Sequence, residues 1–223
     1  MIKPELKNKA IMLRKKGYSY NKISRETGVA KGMLSYWFNR IELPEEILKI
    51  NKMNNLLESR NRMFLINLER KSILKDKYDT VERDAEREFG IFKKDPVFIA
   101  SLMLYLGEGD KSDKGHSVRI SNTDPSVLII FKKFLEKYCC VEKNKIKFWM
   151  LGYSDLDINS CISWWKKQLN IDENNMYKTQ IIVGKHKTNR LLYGVGNITI
   201  SGKSLKIRVI KWIRLMCSEL MRP

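Results

Sequence analysis

The residues in the most unusual chemical setting are Gly107-Glu108-Gly109-Asp110-Lys111, which follow the apolar run Phe98–Leu106. That run reads as a buried helix begun after Asp95-Pro96, so Glu108 falls at a helix C-terminus. The backbone dipole disfavours negative charge there, and the flanking glycines let other backbones approach closely. An acid so placed gains from a hard cation such as Mg²⁺, which takes carboxylate, carbonyl and water oxygens. The competing reading of Glu108 is a surface acid in a glycine turn. Asp110 and Asp113 read as solvated loop acids.

A second constellation lies near the N-terminus. A helix is expected over Pro4–Lys16, closed by Gly17, and Ser19 can cap a second short helix, Tyr20–Thr27. Gly28 supplies the tight turn, and a third helix, Lys31–Asn39, carries Leu34, Trp37 and Phe38 on one apolar face. Met33 and Tyr36 fit either the core or a binding surface.

Charge divides the chain. Lys and Arg number 43 against 25 acids, a formal net charge of +18. Residues 1–43 carry +7, residues 44–92 are neutral and residues 93–223 carry +11. Such an excess points to a polyanionic partner. No apolar run approaches a membrane span, and the start of the chain lacks the apolar core of a signal peptide, so a cytoplasmic, intracellular protein without a membrane partner is expected. The four cysteines, Cys139, Cys140, Cys161 and Cys217, form no C-x-x-C pair and only His116 and His186 could join them, so zinc is not expected and the thiols read as reduced and mostly buried. RNA is disfavoured, because aromatic-rich motif strands of the common RNA modules are lacking.

These features are joined by a spacer. Between Pro44 and Gly90 apolar residues recur at three- and four-residue steps, predicting one or two long helices that either pack on neighbours or pair as a coiled coil. Asp79–Glu88 alternates charge sign, as an exposed helix face does. Beyond Gly109 the pattern predicts a hairpin around Asp113-Lys114-Gly115 and a strand at Ser117–Ser121, then a helix, Asp124–Tyr138. Strands follow near Lys145–Gly152, Met176–Val183 and Tyr193–Ser201, with helices at Asp155–Leu169 and Lys203–Leu220. The tryptophans Trp149, Trp164, Trp165 and Trp212 are expected in the core. The class is α+β, with a helix-turn-helix domain at 1–43, a helical linker at 44–94 and a mixed α/β domain at 95–223.

The stretch Tyr18-Ser19-Tyr20-Asn21-Lys22-Ile23-Ser24-Arg25-Glu26-Thr27-Gly28-Val29-Ala30-Lys31 resembles the helix-turn-helix of resolvase/invertase-type DNA-binding domains, with Ser24 where that family prefers Ala. The resemblance implies that the third helix enters the major groove of double-stranded DNA. Lys31, Gly32, Met33, Ser35 and Tyr36 would then face base edges, and Arg25 and Arg40 the phosphates.

Residues 96–223 resemble the LAGLIDADG homing-endonuclease family, through Leu102, Leu104, Gly107, Glu108 and Gly109 and the order of elements that follows. In that family two such helices pack side by side, and the acid at each helix end holds a divalent metal at the scissile phosphates. The resemblance makes Glu108, with Gly107 beside it, the Mg²⁺ site. It makes Lys178 the cation that neutralises transition-state charge, and an antiparallel sheet the DNA grip. Arg119, Lys145, Lys147, Lys185, Lys187 and Arg190, together with Lys178, would contact DNA. Met103 stands where the family often has glycine, and the helix Asp155–Leu169 is added to its usual order. A single motif implies a homodimer through the 97–107 helix. The expected function is a dimeric, Mg²⁺-dependent, site-specific DNA endonuclease; the alternative is a non-cleaving transcription regulator built on the same fold.

Overall fold

The computed structural model describes residues 4–39, 41–112, 114–183 and 191–222. They form an α+β protein with eight α-helices and one four-stranded sheet among the described residues. None of these helices is long and apolar enough to cross a membrane. Two compact units divide within a single helix, at Leu74/Lys75.

The first unit packs α1 (Pro4–Lys15), α2 (Tyr20–Thr27) and α3 (Lys31–Phe38) around Ala10, Leu13, Ile23, Leu34 and Phe38. Ser19 caps α2 by accepting from the Lys22 amide, and Gly28, at φ +70°, ends it by donating to Ser24. Such a positive φ costs an L side chain steric energy that glycine avoids. The long helix α4 (Glu45–Phe92) enters this unit at its start. Arg14 donates to Asn51 Oδ1 at 2.7 Å, and Asn54 Nδ2 donates to the Gly17 carbonyl at 3.2 Å. A Cβ on Gly17 would stand 2.7 Å from Ile50, so glycine is required there twice, for its φ of +85° and for this contact.

The second unit takes in the last turns of α4. Ala85 and Phe89 are buried in its core. Trp212 Nε1 donates to the Ala85 carbonyl at 3.0 Å, Arg208 grips Glu88, and Lys211 pairs with Glu86 at 2.6 Å. The stretch Asp79–Glu88, expected to face solvent, instead docks on the final helix, where three of its five acids, Glu82, Glu86 and Glu88, meet Arg208 and Lys211. The unit accordingly begins at residue 75, not at 95.

Next come α5 (Pro96–Glu108), β1 (Ser117–Asn122), α6 (Pro125–Lys137), β2 (Lys147–Tyr153), α7 (Ile158–Leu169), β3 (Gln180–Ile182), β4 (Val195–Ser201) and α8 (Lys203–Leu220). Asp95 and Asp124 cap α5 and α6 ahead of Pro96 and Pro125, and proline suits the first helical turn because its missing N–H has no helical partner. The strand order is β1-β4-β2-β3. β4 runs antiparallel to β1 and β2, but β3 runs parallel to β2, so the sheet is mixed rather than antiparallel as expected. α7 explains the difference: a parallel neighbour needs a crossover connection, and the added helix supplies one. The strand expected over Met176–Val183 shrinks to an isolated bridge at Met176 and three residues of β3.

Val118, Ile120, Phe148, Met150, Ile198 and Ile200 bury one face of the sheet, and an aromatic cluster of Phe92, Phe98, Phe134, Tyr138 and Trp212 lies between the helices. Trp165 and Trp212 are fully buried, whereas Trp149 and Trp164 are only half-buried. All four cysteines are free; Cys139 and Cys161 are buried and Cys140 is exposed.

Asp95 joins α5 to the end of α6. It accepts from the Val97 amide at 2.9 Å, the Tyr138 hydroxyl at 2.6 Å and Lys137 Nζ at 2.9 Å. The Tyr138 and Lys137 hydrogen bonds pull its carboxyl down to about 2. A carboxylate with a lowered folded-state pKa stabilises fully above its unfolded value, about 4, and loses that contribution as pH falls toward the folded value. Asp95→Asn is therefore expected to lower Tm at neutral pH and to flatten the loss of Tm between about pH 4 and 2. Thermal unfolding followed across that pH range checks both.

Candidate functional site

The end of α5 is set by Tyr105. Its buried ring stacks on Phe131 with centroids 5.3 Å apart, and a Cβ on Gly109 would stand 2.5 Å from it. Glycine is the residue that lets the chain turn against that ring. The Tyr105 hydroxyl donates to the Asp110 carbonyl at 2.7 Å, and burial pushes its phenol well above the usual range. Gly109 bridges to Ile120, and the Asp110 amide donates to the Arg119 carbonyl at 2.9 Å. The helix end is thus stitched to the free edge of β1.

Two acids flank Gly109 and differ sharply. Asp110 is half-buried, with its carboxylate 3.7 Å from Arg119 and 3.9 Å from Lys206. It is not the solvated loop acid expected. Glu108 is exposed, and among the described residues nothing donates to its carboxylate. Gly107 is also exposed and meets nothing where a Cβ would stand. With Ala100 exposed, Val97 48% exposed and Met103 46% exposed, one stripe of α5 lies open from its start to Glu108.

The sheet face opposite the core is polar. Register places Arg119, Thr199 and Lys147 in one row across three strands, and Ser121, Asn197 and Trp149 in the next. Ser121 Oγ donates to Asn197 Oδ1. Arg119 and Lys147, both anticipated as DNA contacts, fall on this face. Lys147 Nζ already donates to the Asn174 carbonyl and to Asn175 Oδ1, each at 3.0 Å. Lys145 lies off the sheet, in the single turn Lys143–Lys145, paired with Glu142 at 3.0 Å. Lys178 is exposed on the segment before β3, outside any strand and with no contact to Glu108 among the described residues. Lys185, Lys187 and Arg190 lie outside the described residues, as do Arg40 and Asp113.

In the first unit Lys31, Gly32, Met33, Ser35 and Tyr36 are all exposed on α3, Tyr36 to 78%, while Leu34 and Phe38 point inward. This removes Tyr36 from the core. Arg25 is exposed on α2.

Sequence reasoning passed over Ser121, Asn197, Thr199 and Trp149. The alternation Gly196-Asn197-Ile198-Thr199-Ile200 carried the signal for two of them, since a half-buried strand turns alternate residues to one face. Buried Lys206 carried no local signal at all.

A divalent cation meets a sparse donor set. Among the described residues no three His, Cys, Asp or Glu side chains converge on one point. Asp110 is committed to Arg119 and Lys206, which leaves Glu108 and the adjacent backbone carbonyl of Gly107. Among the described residues one chain offers a hard cation no more than these two oxygen donors. Comparison with known proteins yields no match to any family model, curated protein or solved structure, so function rests on this geometry.

The two glycines should respond oppositely to a methyl group. Gly109→Ala must displace Tyr105 or the chain and is expected to cost about 1–3 kcal/mol, as overpacked cores do. Gly107→Ala meets open space and should gain up to about 1 kcal/mol of helix propensity in the monomer. Chemical denaturation of both variants distinguishes them.

Proposed function

We propose that the protein binds double-stranded DNA through both units and, as a homodimer, hydrolyses it in a Mg²⁺-dependent, site-specific manner like a LAGLIDADG homing endonuclease. The observation that carries this reading is the open stripe of α5 ending in the unpartnered Glu108 carboxylate. A helical glycine costs about 1 kcal/mol relative to alanine, and among the described residues nothing approaches Gly107 where a Cβ would stand. A second copy does: Ala100 and Gly107 admit a close helix, and Val97 and Met103 become buried. A twofold contact of this kind is self-complementary, and it brings two Glu108 carboxylates together, completing the site that one chain half supplies.

Glu108 and the Gly107 carbonyl would hold the cation, which when bound stabilises charge on the phosphate. Arg119, Thr199 and Lys147 in one row, with Ser121 and Trp149 in the next, offer polar groups and an aromatic ring to the duplex beside that point, while buried Asn197 holds Ser121 in place. Lys178 is left to neutralise charge developing on the phosphate. Neutralised phosphates release counterions, so binding should weaken steeply with salt.

The first unit adds a recognition helix whose exposed N-terminal side chains suit base edges. Arg25→Ala is expected to weaken all sequences alike and to reduce the salt slope by about 1, whereas Tyr36→Ala should change which sequences are selected. Binding selections from a random DNA pool at two salt concentrations read both effects.

Cleavage is tested on the selected sequence. The wild type with Mg²⁺ should nick it, Glu108→Gln should bind without nicking, and both should bind in EDTA. Wild-type activity no greater than that of Glu108→Gln would overturn the enzyme and leave a DNA-binding regulator. A light-scattering mass of the DNA complex that exceeds the duplex by only the 26.3 kDa of one chain would overturn the dimer.

A further inference from the structure

Charge is not spread evenly along α4. From Ser59 to Lys77 six Lys and Arg stand against two acids, Glu69 and Asp76, a net of +4. The helix is neutral as a whole only because its two ends are acidic. At its C-terminal end Glu82, Glu86 and Glu88 are already taken up by Arg208 and Lys211. Every residue of the middle span except Ile66 is exposed, and none of its cations has an ion-pair or hydrogen-bond partner among the described residues.

Helical spacing sorts these charges by face. Arg60 and Lys71 are eleven residues apart, three turns of helix, so they stack on one side, and Arg70 stands about a quarter-turn round from them. Glu58 and Glu69 precede Arg60 and Lys71 by two residues each, which puts the acids across the helix from the cations. Asn51, Asn54 and Glu58, which bond to Arg14, Gly17 and Ser19, lie on the acid side, so the cation side is turned away from the first three helices. Arg60, Arg70 and Lys71 have no acid three or four residues away in either direction. Opposite charges at that spacing stabilise an exposed helix, and this face forgoes them.

A polyanion supplies the charge that the chain does not. Arg60 to Lys71 covers about 16 Å of helix, and a duplex carries one charge per about 1.7 Å of its axis, so each of the three cations has a phosphate within that length. A lipid surface fits less well. An interfacial helix collects apolar residues on one side and cations on the other, whereas Met63 and Leu65 fall on opposite sides and Met63 shares the side of Arg60.

We propose that the Arg60, Arg70 and Lys71 face of α4 contacts the phosphate backbone of DNA, apart from the exposed end of α3 and from the sheet. The proposal rests on the reading of the protein as a binder of double-stranded DNA and is independent of cleavage, cation and dimer. Phosphate contacts position a protein without reading sequence, so this face adds affinity and salt dependence alone.

The test is fluorescence anisotropy of the full chain on a labelled duplex of the selected sequence over a range of salt concentrations, alongside Tm. Arg60→Gln should reduce the slope of log affinity against log salt by about 0.9, and the triple variant Arg60→Gln/Arg70→Gln/Lys71→Gln by about 2–3. Glutamine is as good a helix former as arginine or lysine, so Tm and the selected sequence should not change. Arg62→Gln, which removes the same charge from the acid side, should keep the wild-type slope. A wild-type slope in the triple variant overturns the proposal and leaves DNA binding by the two units standing. Equal loss of slope in Arg62→Gln and Arg60→Gln overturns it too, because net charge and not a face would then be read. Wild-type binding to phosphatidylserine vesicles that the triple variant loses, with its DNA slope intact, assigns the face to lipid and likewise overturns it. If the wild type does not bind the duplex at all, the DNA reading fails and the proposal falls with it.

Discussion

The second unit depends on the contact of Gly109 with Tyr105. Were there a Cβ at 109, it would occupy the tyrosine ring, and the chain could not leave α5 at that angle. Because it can, the chain passes directly from helix to the edge of β1, and at the very next residue the same tyrosine is hydrogen-bonded to the Asp110 carbonyl. Phe131 stacks on the same ring, which ties α6 to this point. The exposed carboxylate of Glu108 is therefore not on a wandering loop: its neighbours on both sides are held by a buried aromatic ring and a buried ammonium.

Much of the helical framework was legible because its boundaries are written in side chains with local duties. Asp95-Pro96 and Asp124-Pro125 start α5 and α6, Ser19 and Gly28 bound α2, and Gly202 precedes α8. The direction of β3 was not legible. Parallel or antiparallel pairing is decided by where the connection lands, and the three residues Gln180–Ile182 say nothing of that. The docking of Asp79–Glu88 was hidden for another reason: alternating charge looks the same whether its partners are water or the cations of a distant helix, here Arg208 and Lys211.

Within the candidate site the legible part was Glu108 with its glycines, because residue types alone make it strange. Arg119 and Lys147 were legible from strand alternation. Lys206 was not, since a lysine among Ser204, Leu205 and Ile207 reads as a solvated side chain until the fold buries it against Asp110. The basic excess of the chain also divides on inspection. Arg14, Lys132, Lys206, Arg208 and Lys211 serve carbonyls, amides and carboxylates of the protein itself, so the cations left for a polyanion are fewer than the net charge suggests.

The long helix α4 has a consequence for how such a protein can be assembled by evolution. Glu58 is the last of its residues bonded into the first unit and Glu82 the first bonded to α8. From Ser59 to Lys77 every residue but Ile66 is exposed. A genetic exchange within that span would swap one unit for another while leaving both cores intact. A crossover at residue 44 would strip Asn51 and Asn54 from the first unit, and one at residue 95 would remove Ala85 and Phe89 from the second. The seam for recombination lies inside a helix, not in the loops on either side of it.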